Sequence, residues 1–357
     1  MFVPVVDSDQ KALMPTTPSR ARRWIKSGFA TGFFKKGVFC VRLNVQPSAQ
    51  NTQPIAVGID PGSKKEGFTV KSTSHTYLNI QADTPAWTNE KVKTGSKKGK
   101  NKITLQRAQM RRGRRYRKTP YRKCRPYRNV NKEWMAPSTR SRWEFKLNVC
   151  KWLRKMFPVT DFVVEDIKAR TWKNAKKWNL SFSPLEVGKK WFYYQLNCIA
   201  PVTTVQGFQT SVMRKELGLK KTSNKLAEVF EAHCVDSWVM AHHIVGGNPQ
   251  PDNTKLLLIT PHNFCRRQLQ RFKAQRGGIR TRYGGTMCYG FKKGSLVKHP
   301  KYGLCYISGY MESPTKKEPQ RKVLSLYSLS TGKRLTQKAL TTDCKFIAYS
   351  SWRTRYV

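Results

Sequence analysis

Two short apolar runs, each delivering acids to its end, set the pattern of the chain. Ile55-Ala56-Val57-Gly58-Ile59 runs into Asp60-Pro61-Gly62-Ser63, and Asp161-Phe162-Val163-Val164 runs into Glu165-Asp166. Short runs rich in β-branched residues predict strands buried on both faces, the first stopped by a Pro-Gly turn. Gly67-Phe68-Thr69-Val70 and Thr76-Tyr77-Leu78-Asn79-Ile80 predict the next two strands of a meander. Between the acidic runs, Phe145, Val149, Trp152 and Met156 recur at helical spacing after a cap at Ser138 or Thr139, and Pro158 ends that helix. Helical potential returns at 184–198, a strand is expected at 200–205, and a long apolar-faced helix is expected from Ser223 to about Val245.

The flanks are patterned differently. Val3-Pro4-Val5-Val6 and 37–43 predict strands around a helix capped by Thr17, with Pro18 at its first position and Gly28 closing it. This is a small β-α-β module over residues 1–52, joined by a polar linker to the first acidic strand (53–91). Residues 91–101 contain glycine and many cations, and are expected to be mobile without a partner. Gly246-Gly247-Asn248-Pro249 closes the block 131–247. Beyond it, short alternating runs at 295–298, 303–310, 322–329 and 345–349 predict a small β-barrel within 248–357.

Charge changes the picture most. Among 357 residues, 69 Lys and Arg stand against 20 Asp and Glu, a formal net charge of +49. Such a field repels itself unless a polyanion neutralises it, so a nucleic-acid partner is expected. No amphipathic helix with a clean apolar face points to a membrane surface instead. The absence of a long apolar run or signal-peptide pattern leads to the expectation of a cytoplasmic protein that meets the nucleoid when bound to DNA. Nine scattered cysteines without a C-x-x-C pair indicate neither zinc nor a disulfide framework.

The most cationic stretch, within 92–130, holds twelve Lys or Arg between Lys102 and Arg128 and no acid. Its first half lacks proline, so it can form a helix that becomes ordered against phosphates. Arg107, Arg111, Arg112, Arg114, Arg115, Arg117, Arg122 and Arg125 are its candidate contacts. Arg20, Arg22, Arg23 and Lys26 on the N-terminal helix are a second set, and Arg266, Arg267, Arg280, Arg282 and Tyr283 a third.

The candidate chemistry lies in the acids. Asp60 alone reads equally as a turn cap or as a metal ligand. Glu165 on a second buried strand and Asp236 on an apolar-flanked helix change that balance, because three clustered carboxylates repel one another unless a divalent cation is bound. Strand alternation puts Glu165 and Asp166 on opposite faces, so one of them faces Asp60. His233, one turn before Asp236, can position or deprotonate a water; its bland alternative is a surface pair with Asp236. The order acid-bearing strand, two strands, helix, acid-bearing strand, acid-bearing helix matches a ribonuclease H architecture.

Ile59-Asp60-Pro61-Gly62-Ser63, Val164-Glu165 and His233-Cys234-Val235-Asp236 resemble the three split motifs of a RuvC nuclease. The Arg-rich stretch resembles a bridge helix. The N-terminal module with Leu13-Met14-Pro15 resembles the PLMP domain of the transposon-encoded IscB family, with Ala12 where that family has proline. Gly277-Gly278-Ile279-Arg280 and Tyr283-Gly284-Gly285 resemble the opening of its C-terminal region. Only 67 residues lie between Glu165 and His233, without a histidine among them, so the HNH nuclease of IscB is absent and the chain is similar to the HNH-lacking IsrB group.

That resemblance implies an RNA-guided DNA nickase with an α/β split RuvC core. One chain would bind one omega RNA, whose guide pairs with double-stranded DNA beside a short target-adjacent motif. Asp60, Glu165 and Asp236 would hold two Mg²⁺ ions, with Mn²⁺ as a substitute, and His233 would assist. Two rivals remain: a guided or RNA-stabilising protein that does not cut, and an unguided junction-resolvase-like nuclease.

Overall fold

A computed structural model describes residues 2–47, 50–85, 91–94, 97–101, 135, 137–166, 184–262, 272–273, 278–279, 285–312 and 321–357. The chain divides into two compact units, one of residues 1–84, 127–260 and 354–357, the other of residues 85–126 and 261–353.

The first unit is built on a seven-stranded sheet. Its strands are β5 (Ile55–Asp60), β6 (Lys65–Ser72), β7 (Thr76–Asp83), β8 (Asp161–Asp166), β9 (Val202–Gln206), β10 (Leu256–Pro261) and β16 (Trp352–Tyr356), in the order β9-β8-β5-β6-β7-β10-β16. β8 runs parallel to both β5 and β9, whereas β6 is antiparallel to β5 and β7. A five-strand order with the second strand antiparallel and the fourth and fifth parallel to the first is the ribonuclease H arrangement. β5 is buried along its whole length, as its unbroken apolar run requires of a central strand.

Helix α5 (Phe230–Val245) lies on one face of this sheet, directly over β5 and β6. Glycine makes that approach possible: a Cβ at Gly58 or Gly67 would run into the Ser237 or His233 carbonyl of the helix. Its rotation is pinned by Ser237 Oγ at 2.8 Å from Thr69 Oγ1 and by Trp238 Nε1 donating to Thr76 Oγ1 at 2.8 Å. Phe230, Cys234, Trp238 and Val239 pack there with Leu256 and Leu258. Helices α2 (Pro137–Arg154) and α3 (Pro184–Asn197) pack against each other, and Lys146 of α2 reaches Glu66 on β6.

The expected helix from Ser223 to Val245 begins only at Phe230. Asn224 diverts the chain: its side chain accepts from Leu226 N and its carbonyl from Ala227 N, while Thr222 N bonds Glu231 O. Such local side-chain bonds compete with helix formation. Helix α4 (Gly207–Glu216), unforeseen, follows β9 instead.

The N-terminal module is a four-stranded sheet rather than β-α-β. β1 (Val3–Val6), β2 (Ala12–Thr16), β3 (Ala30–Lys35) and β4 (Val38–Leu43) stand in the order β2-β1-β4-β3, with α1 (Pro18–Lys26) alongside. Leu13-Met14-Pro15 lies within β2. Thr17 caps α1 by accepting from Arg20 N, and Gly28 follows with φ +78°, both as expected. The module packs on the core: Trp152 Nε1 donates to Lys35 O at 3.3 Å.

The boundary expected at residue 248 falls later, since β10 joins the sheet parallel to β7 and the end of the chain returns to it, Leu256 and Val357 exchanging backbone bonds.

In the second unit, β11 (Ser295–His299), β12 (Gly303–Glu312), β13 (Lys322–Ser328), β14 (Arg334–Leu340) and β15 (Lys345–Tyr349) form an antiparallel sheet in the order β14-β13-β12-β11-β15. Val297, Cys305, Ile307, Leu324 and Leu326 form its core. The region expected to form a small β-barrel is this five-stranded sheet, and among the described residues no ladder joins β14 to β15. Within 91–101, expected to be mobile, Lys91–Thr94 pairs antiparallel with Lys97–Asn101.

Candidate active site

Register brings the acids together. Ile59 pairs with Val164 in the parallel ladder, so Asp60 and Glu165, each the next residue, leave their strands side by side. Their side chains share a hydrogen bond, and the Asp236 carboxylate acts on Glu165 from α5. Burial first, then the negative charges of Asp60 and Asp236, push the Glu165 carboxyl up to about 8, against a smaller opposing effect of Lys221. Asp60 and Asp236 are themselves buried, Asp236 with 2 % of its surface exposed.

Asp166 belongs to the other face, as alternation requires. It accepts from Tyr193 OH at 3.1 Å and Gln206 Nε2 at 2.9 Å, and pairs with Lys189 Nζ at 2.8 Å. Burial alone would raise its pKa, but these partners hold it below the ordinary aspartate range.

His233 is not a surface partner of Asp236. Its Nδ1 stands 3.0 Å from Asp60 Oδ2 and its Nε2 3.0 Å from the Lys225 carbonyl oxygen. Burial works to lower its pKa, yet the two acceptors and the Asp60 charge outweigh it, so the imidazole titrates above its usual range. A ring facing an oxygen at each nitrogen can donate to both at once only as the imidazolium, the form that the raised pKa favours.

Two cations that sequence reasoning missed close the site. Arg214 Nη1 pairs with Asp236 Oδ1 at 2.5 Å, and Lys221 Nζ pairs with Asp236 Oδ2. Arg214 is carried by α4. Lys221 sits on the strap 217–229, which also supplies the Lys225 carbonyl to His233 and the Ala227 carbonyl to Gln81. The helical spacing of Thr210, Met213 and Leu217 was the signal for α4: Thr210 is buried, and the other two pack on the α5 core.

The donor set suits a hard divalent cation, since Asp60 and Glu165 crowd their oxygens at one strand edge and pay for it in Glu165's raised pKa. Asp236 is already neutralised by Arg214 and Lys221. Among the described residues, no three ligating side chains form a ready cage.

The basic candidates divide. Arg20, Arg22, Arg23 and Lys26 are exposed on α1. Arg20, Arg23 and Lys26 line a cleft of about 640 Å³ with Trp24, Ser27 and Phe29, whereas Arg22 does not. Arg107, Arg111, Arg112, Arg114, Arg115, Arg117, Arg122, Arg125, Arg266, Arg267, Arg280, Arg282 and Tyr283 lie outside the described residues, and with them the expected bridge helix. The seven described cysteines are free, and all but Cys198 are buried. No helix among the described residues is long and apolar enough to cross a membrane.

No curated protein matches the chain. Among solved structures it is similar to Thermus thermophilus RuvC in complex with a Holliday junction substrate, at 12 % identity over 54 % of this chain and 97 % of that one, with a TM-score of 0.25. A second structure of Thermus thermophilus RuvC matches at 13 % identity over 52 % and 90 %, TM-score 0.23. The yeast mitochondrial Holliday junction resolvase matches at 14 % identity over 54 % and 78 %, TM-score 0.23. The family model described as RRXRR protein matches residues 3–177, just under half of the chain, a span that holds Asp60 and Glu165 and ends before His233 and Asp236.

Proposed function

We propose that this chain is an RNA-guided DNA nickase of the HNH-lacking IsrB type, cutting one strand at the acid cluster around Asp60. The observation that carries the reading is the register of β8 on β5, which sets Glu165 beside Asp60 at the end of a ribonuclease H-like sheet and under α5. The net charge of +49 supports a polyanionic partner large enough to be both RNA and DNA.

Two Mg²⁺ ions, or Mn²⁺ in their place, would supply an activated water and neutralise charge on the leaving oxygen. Asp60 and Glu165 would hold them, and Asp236 would join when Arg214 and Lys221 turn towards phosphate. His233 keeps Asp60 oriented through its Nδ1 contact, with the Lys225 carbonyl fixing the ring from behind. The second unit would add nucleic-acid surface, including the reading of a target-adjacent motif.

One observation favours a second reading, guided binding without cutting: Asp236 is neutralised by two of the protein's own cations. One experiment decides between them. The protein is purified from its native host, the RNA that accompanies it is sequenced, and the complex is given supercoiled plasmid bearing the matching target. Mg²⁺-dependent nicking of one strand is expected, abolished in Asp60→Ala, Glu165→Ala and Asp236→Ala with RNA retention unchanged. Double-strand breaks would overturn the HNH-lacking assignment, equal cleavage after RNA removal would overturn guidance, and target binding without any nick would establish the second reading.

A further inference from the structure

We propose that α4 carries a seat for one nucleotide of the DNA strand at the acid cluster, with the Phe208 ring stacking on its base and Lys215 meeting a phosphate of the same strand. This rests on the nuclease reading and specifies how the strand lies there.

Helix α4 shows three rows. Thr210, Met213 and Leu217 turn inwards, Thr210 buried and the other two packed against the α5 core. Gly207, Ser211 and Arg214 form the row along the acids: a Cβ on Gly207 would sit 2.9 Å from Glu165 Oε1, Arg214 pairs with Asp236, and Arg214 Nη2 donates to Ser211 Oγ. One residue on at each step, Phe208, Val212 and Lys215 make a neighbouring row, about 100° further round the helix. That row is open to solvent: Phe208 is 70 % and Val212 50 % exposed, and Lys215 is exposed as well.

A single exposed apolar side chain needs no explanation. Here a phenyl ring and a valine stand one turn apart, in line with a cation, beside the row that touches both Glu165 and Asp236. A polynucleotide offers what this row lacks, a flat apolar face followed by an anion. Base stacking on an aromatic side chain tolerates any sequence, which suits a site that must accept whatever strand is delivered to the acids. A peptide partner would have to meet the strongly basic surroundings of Arg214, Lys215, Lys220 and Lys221 with acids of its own, and a nucleotide strand carries its anions on every residue.

The test has two arms. In the first, the full-length protein in EDTA is irradiated with single-stranded DNA containing 5-iododeoxyuridine, and the adducts are mapped by peptide mass spectrometry. An adduct at Phe208 is expected, lost in Phe208→Leu while adducts elsewhere persist. Adducts confined to other residues would overturn the seat, and an RNA strand that crosslinks there in preference to DNA would overturn the assignment to the DNA strand. In the second arm, Phe208→Ala should lower kcat/KM for strand cleavage roughly tenfold or more, Phe208→Trp should restore it, and the melting temperature should not move. Wild-type rates in a folded Phe208→Ala protein would also overturn the seat, and if that variant fails to fold, Phe208→Leu takes its place. A wild-type protein that never cleaves would sink the nuclease reading, leaving the crosslinking arm to judge the seat alone.

Discussion

Glu66, fully buried, and Glu165, half-buried, stand two strands apart in one sheet, and they differ in what surrounds them. Both carboxyls sit far above the ordinary range, Glu66 at about 7 and Glu165 at about 8, and burial is the first cause in each. The second cause separates them. Glu66, with no exposed surface, faces Lys146 Nζ at 2.5 Å on α2, and the charge and hydrogen bond of Lys146 pull its pKa back down against a smaller push from Asp60, with a minor further pull from Arg142. Glu165 faces Asp60 and Asp236, which push it further up. A buried acid with a cation at its side is part of the fold, whereas a buried acid among acids is a place that stores repulsion for a ligand to relieve.

The widest separation between them should come from alanine. Asp60→Ala or Glu165→Ala is expected to lower strand cleavage on the order of 10³-fold or more, and in Glu165→Ala the melting temperature should equal or exceed that of the wild type because a like charge has gone. Glu66→Ala should do the reverse. It leaves Lys146 buried without its carboxylate, a change that costs about 3–5 kcal/mol, while the activity per folded molecule stays near normal. Thermal denaturation and single-turnover cleavage on the same samples check both halves. A Glu66→Ala protein that is stable but inactive would move Glu66 into the site.

That contrast was half legible in the sequence. Asp60, Glu165 and Asp236 could be picked because each ends or interrupts an apolar run; alternation put Glu165 and Asp166 on opposite faces and the motif match chose Glu165, and Asp166 does turn away to Lys189 and Tyr193. Glu66 could not be picked, since nothing near it in the chain shows that Lys146, eighty residues on, lies beneath its strand. Arg214 and Lys221 were hidden for another reason. In a chain with 69 basic residues two more carry no local signal, and only the packing of α4 and the turn at Asn224 bring them to Asp236. β2, β3 and β14 escaped because their alternation is broken by exposed polar residues, as in the burial pattern of β14, or by a proline, as in β2.

The cations sharpen the comparison at a smaller scale. Lys146→Met leaves Glu66 buried without its close ion pair and should destabilise the fold by up to a few kcal/mol; the double change Glu66→Met with Lys146→Met should recover most of that loss. Lys221 is different, because Asp236 keeps Arg214 and lies near a place where a cation is wanted. Lys221→Met should leave the melting temperature nearly unchanged and tighten Mn²⁺ binding by roughly tenfold, read by electron paramagnetic resonance without any substrate. Weaker Mn²⁺ binding in that variant would mean that Lys221 supports the acids in the arrangement a metal needs.

The smallest effect is in the pH dependence of stability in EDTA, and its sign follows from the direction of the two shifts. A carboxyl whose pKa is higher folded than unfolded binds its proton more tightly in the native state. Its contribution therefore favours folding at low pH and is lost as pH rises from about 4.3, the unfolded value, through the folded value of about 7 for Glu66 or about 8 for Glu165. His262, which burial lowers to about 3, contributes the opposite slope below neutrality, so the comparison must be made between variants that all retain it. Glu66→Gln should remove the part of the decline that ends near 7. Asp60→Asn takes a negative charge from beside Glu165 and should pull in the part that extends to about 8, and saturating Mn²⁺ should do the same in the wild type by favouring the ionised cluster. If Mn²⁺ instead removed the part that Glu66→Gln removes and left the part that extends to about 8 unchanged, the cation would be acting on the sealed face of the sheet, and the distinction between a buried pair and an acid cluster would fall.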